Sequence, residues 1–105
     1  MINIKQIRAL CHDDTIIATK HFTSRLSERN IEYSDILLSV MNGKIIEEYP
    51  TSYPYPCALI LNFVANNKPL HVVVGTNGDS LWLITAYFPN LDEWNEDYET
   101  RKAVE

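Results

Sequence analysis

The stretch Leu70-His71-Val72-Val73-Val74-Gly75-Thr76-Asn77-Gly78-Asp79-Ser80-Leu81-Trp82-Leu83-Ile84-Thr85-Ala86-Tyr87 decides the fold. Two apolar runs flank a Thr-Asn-Gly-Asp loop, the pattern of a β-hairpin. The spacing predicts strands over 70–75 and 81–87. His71 alone interrupts the first run, and its cross-strand neighbour depends on the loop. With the three-residue loop 77–79, His71 lies opposite Thr85, beside Tyr87. With the two-residue loop 77–78, His71 faces Ile84 and Thr85 turns to the other side, because a slip of one residue reverses every side chain. The sequence accommodates both registers.

Working back from the hairpin, Cys57 to Val64 is a strongly apolar strand, joined to Leu70 by the turn 65–69. Lys44 to Tyr49 is a shorter strand. Between them, residues 50–56 hold three prolines and two tyrosines, a stiff connection that cannot be helical. Before Gly43 the period is helical. Residues 3–12 read as a helix with Ile4, Ile7 and Cys11 on one stripe. A second helix spans about 19–29, with Thr15 or Thr19 as its cap and Asn30 as a left-handed stop. A third spans about 35–42, capped by Ser34 and buried through Ile36, Leu37, Val40 and Met41. Asn42-Gly43 ends it, since glycine takes the left-handed conformation at least cost. Asn90 to Glu105 is acidic, with Trp94 and Tyr98 four apart, and reads as a short helix laid on the body or as a tail. The expected architecture is α+β: three N-terminal helical segments on a four-stranded antiparallel meander.

A chain of 105 residues is one domain, 1–105, with a modest core. It lacks an apolar run long enough for a membrane span and a signal-like N-terminus, so the expected compartment is the cytoplasm. Cys11 and Cys57 stand far apart, which indicates neither zinc nor redox chemistry. Net charge is −5. Residues 91–105 carry Asp92, Glu93, Glu96, Asp97, Glu99 and Glu105 against Arg101 and Lys102, so the rest is close to neutral. That excludes a non-specific, charge-driven nucleic-acid coat but leaves room for a small basic site.

Chemistry is concentrated in two places. On the second helix His21, Arg25 and Glu28 share one face, with Arg29 at its edge. On the hairpin stand His71, Thr85 and Tyr87. With no metal-ligand spacing, phosphate loop or nucleophile elbow, metal-free acid–base chemistry without a cofactor is the enzymatic option these residues support. Histidine titrates near neutral pH and arginine holds phosphate through paired bonds. Together they suit RNA cleavage by attack of the 2′-hydroxyl on its own phosphate. The bland readings are a solvated helix face with an internal salt bridge, and a hydrogen-bonded core histidine. Tyrosines 49, 53 and 55 fit packing under a loop, a small-molecule pocket or a stacking surface for a base.

The set His21-x3-Arg25-x2-Glu28-Arg29-x-Ile31, Asp35, Gly43-x-Ile45-Ile46-x2-Tyr49, Pro69-Leu70-His71-Val72-Val73, Ile84-Thr85-Ala86-Tyr87-x-Pro89, Trp94 and Thr100-Arg101-Lys102 resembles the bacterial family catalogued as domain of unknown function 4258. The resemblance covers roughly residues 18–102, and its specificity lies in the set. It implies a compact α+β toxin, distantly similar to RelE-like, MqsR-like and barnase-like ribonucleases. It implies RNA as substrate and a zinc-finger-type antitoxin as partner, with no membrane; a homodimer stays open. The family's polar positions fall here on His21, Arg25, Glu28, Arg29, His71, Thr85 and Tyr87. The chain departs at Asn30, where the family tends to glycine. On this reading one histidine, His71 or His21, takes the 2′-hydroxyl proton, and the other histidine or Tyr87 protonates the leaving oxygen. Arg25 and Arg29 hold the phosphate, Glu28 orients an arginine and Thr85 donates a hydrogen bond. The rival is a non-catalytic interaction domain in which the same residues form a structural polar network.

Overall fold

The computed structural model describes residues 2–102. Its elements in order are α1 (Ile4–Ala9), β1 (Ile16–Ala18), α2 (Lys20–Glu28), α3 (Tyr33–Asn42), β2 (Lys44–Tyr49), β3 (Cys57–Val64), β4 (Lys68–Thr76) and β5 (Leu81–Tyr87). The α+β class holds. The sheet has five strands, not four, in the order β1-β5-β4-β3-β2, and it is mixed. Four strands form the antiparallel meander, while β1 pairs with β5 in parallel, Ile16 with Leu81 and Ala18 with Leu83. A three-residue run shows no period of its own, and its partner lies far along the chain, so local pattern could not reveal it.

The helix ends follow side-chain chemistry. Asn3 caps α1 by accepting from the Lys5 amide at 2.7 Å, and Thr19 caps α2 by accepting from Phe22 at 3.1 Å. Asn30 takes the left-handed conformation, φ 58°, and the Ile31 amide returns to the Leu26 carbonyl at 2.9 Å. Several expectations change: α1 stops at Ala9, short of residue 12, and Met41 is exposed, not buried. Helix α3 starts at Tyr33 with Glu32 as its cap, so Ser34 lies inside the first turn. Gly43 does not stop α3 in a left-handed conformation; it is extended, at φ −80° and ψ −176°. Its need is space. A Cβ there would stand 2.5 Å from the Ser39 carbonyl oxygen and 2.6 Å from that of Leu61. Both are backbone atoms in ordered elements, so Gly43→Ala is expected to destabilise the fold by about 3 kcal/mol, the upper end of overpacking. A urea midpoint indistinguishable from wild type would refute the close approach.

The three helices cover one face of the sheet. Ile7, Phe22, Leu26, Ile31, Ile36 and Val40 pack on Ile60, Leu70, Val72, Val74, Leu81, Leu83 and Ala86. The opposite face reads in rows across the strands: Lys44–Leu61–His71–Tyr87, Glu47–Leu59–Val73–Thr85 and Tyr49–Cys57–Gly75–Trp82. Residues 90–102 lie over part of it. They form no helix. The Asn90 side chain accepts from the amides of Asp92 and Glu93, and Asp97 from those of Glu99 and Thr100, so side chains take the backbone donors and turn the chain. Trp94 anchors the segment and is 1% exposed. Residues 103–105, the end of the expected C-terminal helix, lie outside the described residues. Cys11 and Cys57 are free thiols. Among the described residues, no helix is long and apolar enough to cross a membrane.

Candidate functional site

The register of the hairpin differs from both expectations. Thr76 pairs with Leu81, so residues 77–80 form the loop, closed by the Asn77 side chain accepting from Asp79 and Ser80. Farther along, Val74 pairs with Leu83 but Val73 pairs with Thr85, which leaves Ile84 as an extra residue on β5. This bulge changes the parity of the strand. Leu81 and Leu83 face the helices, and so does Ala86, while Trp82, Thr85 and Tyr87 face the other way. His71 therefore stands opposite Tyr87, with Thr85 one pair along, opposite Val73.

His71 is fully buried. Its Nε2 lies 2.7 Å from the Tyr98 carbonyl oxygen, and its Nδ1 lies 3.2 Å from the Tyr87 hydroxyl. A carbonyl only accepts, so Nε2 carries the proton and Nδ1 accepts from Tyr87. The Trp94 ring meets the imidazole edge to face, with centroids 4.5 Å apart. Burial pushes the imidazole below its ordinary value, against the opposing pull of the Tyr98 carbonyl and the Glu47 carboxylate. His71 is thus neutral at pH 7. Burial pushes the Tyr87 hydroxyl up, which keeps its proton in place.

Around this pair runs a network that sequence reasoning missed. Arg101 donates to both carboxylate oxygens of Glu47, at 2.9 and 3.1 Å, and Tyr49 donates to the same group. Burial pushes Glu47 up, but those hydrogen bonds outweigh it and hold the carboxylate below its usual range. Arg101 also lies over the Trp94 ring, and Lys44 pairs with Glu99. The β2 bulge at Ile46 puts Glu47 opposite Leu59 on this face, and no local signal announced it.

The depressed His71 value has a consequence for stability. The unfolded chain takes up a proton near pH 6.5 and the folded chain resists it, so acidification favours unfolding. The thermal midpoint is expected to fall as pH drops from about 7 towards 5, and to fall less in His71→Gln. Glu47 acts only lower, below the ordinary carboxylate value. Equal slopes for both proteins between pH 7 and 5 would show that His71 is not the group responsible.

The helix residues divide. His21, Arg25 and Glu28 form a surface chain on α2, with Arg25 3.3 Å from Glu28 and its Nε 3.5 Å from His21 Nε2. All three are exposed, and none hydrogen-bonds to His71, Thr85 or Tyr87. An exposed pair of this kind contributes about 0.5 kcal/mol. Arg29, at the C-cap of α2, behaves differently. Strand β1 covers only Leu81–Leu83 of β5, and beyond it Arg29 Nη1 donates to the Ala86 carbonyl at 2.7 Å and lies 3.2 Å from Thr85 Oγ1. Arg29 also lines an open cleft of about 410 Å³ with Tyr87, Phe88, Asn90, Glu93 and Trp94. Of the seven residues singled out from sequence, Arg29, Thr85, Tyr87 and His71 are brought together. His21 stands two helical turns from Arg29, about 12 Å along the axis.

The comparison with protein families bears on the same stretch. The model of the family described as "Domain of unknown function (DUF4258)" matches residues 18–88. The chain belongs to this family. The match runs from the end of β1 through β5, so all seven candidate residues lie within it. Trp94, Tyr98 and Arg101, which cover the buried histidine of this DUF4258 domain, lie beyond it. No curated protein and no solved structure matches the chain. Among the described residues of the DUF4258 domain, no three His, Cys, Asp or Glu side chains form a group that could hold a metal ion.

Proposed function

We propose that the chain is a metal-independent endoribonuclease of toxin type, with its site in the cleft at the end of β5. One observation carries this reading: the Arg29 guanidinium and the Tyr87 phenol share an open cleft, and the phenol's proton is directed at a neutral, buried His71. Arg29 would hold the phosphate and stabilise the charge that builds as the 2′-hydroxyl attacks. Tyr87 would take the 2′-hydroxyl proton as its own passes to His71 Nδ1. The resulting imidazolium keeps its bond to the Tyr98 carbonyl and gains the field of Glu47. The departing 5′-oxygen takes a proton from solvent at the mouth of the cleft. In this scheme His71 is a positioning and proton-accepting residue that acts through Tyr87. Arg25, one turn before Arg29, would meet a neighbouring phosphate.

Induced expression of the wild type tests this, with total RNA read for new 5′ ends and 2′,3′-cyclic phosphates. Growth arrest with discrete cleavage, lost in Tyr87→Phe, is the expected result. Soluble, folded protein that leaves RNA and growth untouched would end the proposal.

A second reading has an observation of its own. His71 is fully buried with both ring nitrogens bonded, and among the described residues no buried polar side-chain atom lacks a partner. A network so satisfied also suits a non-catalytic interaction domain that uses these residues to lock residues 90–102 onto the sheet.

A further inference from the structure

The row Tyr49–Cys57–Gly75–Trp82 ends in an aromatic pocket. The connection after β2 folds back against β4 and β5 and opens a space of about 130 Å³. Tyr53, Tyr55, Cys57, Gly75, Trp82 and Ile84 line it. The rings of Tyr55 and Trp82 pack in a tilted pair, with centroids 4.6 Å apart and planes 30° apart. Tyr53 is 94% exposed at the rim, and Ile84, the bulged residue, is 45% exposed.

Gly75 makes the floor. A Cβ there would lie 3.2 Å from Cys57 Sγ and 3.7 Å from Ile84 Cδ1, so any larger side chain would fill the pocket. Gly75, the last residue but one of β4, has no left-handed backbone to require glycine, and glycine in a strand marks a place something else approaches closely. The bulge that turns Thr85 and Tyr87 towards His71 also sets Ile84 against this pocket.

We infer that this pocket binds an unpaired nucleobase of single-stranded RNA, stacked against Tyr53. The inference rests on the reading of the β5 cleft as an RNA site. Its space suits one planar ring, since an apolar cavity of about 150 Å³ accepts benzene. Tyr53, Tyr55 and Trp82 are among its lining residues, and an aromatic face takes any base. It lies on the sheet face that carries Thr85 and Tyr87, five residues along the same strand, or about 16 Å, a span of a few nucleotides. On a chain of net charge −5, stacking can supply affinity that phosphate contacts alone would not.

The test measures anisotropy of 5′-fluorescein-labelled 2′-O-methyl hexauridylate and hexaadenylate. These lack the nucleophilic hydroxyl, so binding is read apart from cleavage. Tyr53→Ala, which removes an exposed side chain, is expected to weaken binding about tenfold. Trp82→Phe, which keeps a ring, is expected to weaken it less. Equal binding by wild type and Tyr53→Ala would overturn the pocket, and so would a wild type that binds neither oligomer. Tyr53-dependent binding by a protein that leaves cellular RNA intact would support the pocket and remove the ribonuclease reading. Cleavage of cellular RNA by a protein whose binding ignores Tyr53 would do the reverse.

Discussion

Arg29→Ala is expected to lower RNA cleavage by about 100-fold or more while the protein stays folded. The size follows from what removal of one preorganised donor to a developing oxyanion costs in other enzymes. The guanidinium is held by Ala86 and Thr85 through Nη1 only, so its other donors can face the cleft. Arg29→Lys should recover little, because an ammonium cannot bridge the strand carbonyl and a phosphate in the same fork. The lost bond to Ala86 is partly exposed and should cost about 1 kcal/mol of stability, a change too small to explain the kinetic loss. His21→Ala and Arg25→Ala should reduce cleavage only a few-fold, since neither touches the cleft. Full activity in folded Arg29→Ala would show that the phosphate sits elsewhere. A loss in His21→Ala as large as in Arg29→Ala would move the site to the outer face of α2.

Trp94→Ala is expected to cost about 3–5 kcal/mol, a large share of the stability of a domain this size. The indole is almost fully buried against His71 and carries Arg101 over its face. Its loss removes the main apolar anchor of residues 90–102. With that cover loosened, burial no longer holds the imidazole down, and the His71 value should rise towards the ordinary histidine value. Urea unfolding gives the first quantity, and an NMR pH titration of the imidazole carbons gives the second. Unchanged unfolding free energy would mean that residues 90–102 are not part of the cooperative unit. A stability loss without movement of the histidine titration would show that the sheet itself, not Trp94, dries out His71.

Much of this molecule was legible in the sequence because it was local. The helix with Thr19, one of two expected caps, and Asn30 as its stop, and the four strands of the meander, depend on neighbours within a few residues. What could not be read was non-local or a matter of parity. Strand β1 is too short to show a period and depends on β5. The bulge at Ile84 follows from packing, with Ala86 entering the core; together with the loop 77–80 it decides that His71 meets Tyr87, where an unbulged strand would set it opposite Ala86. Gly43 was recognised as a stop for the wrong reason, because the backbone atoms that exclude a side chain there come partly from β3. Helical spacing joined His21, Arg25, Glu28 and Arg29 into one set. The fold separates Arg29 from the rest, because only that residue reaches the carbonyl edge that β1 leaves open.

Strand β5 lies between β4 and β1 in the sheet, although β1 is made first and β5 last. During synthesis on a ribosome, the N-terminal strand has no edge to join until residues 81–83 have emerged. Until then β4 presents an open, apolar edge with Leu70, Val72 and Val74 beside it. The sheet is therefore completed from its interior, late, by a long-range closure of the kind that slows folding. A nascent chain arrested before β5 would expose a sticky edge and could not assemble the cleft. The β5 residues of the cleft and the strand that closes the sheet come from one stretch of chain, so a half-made molecule would have neither.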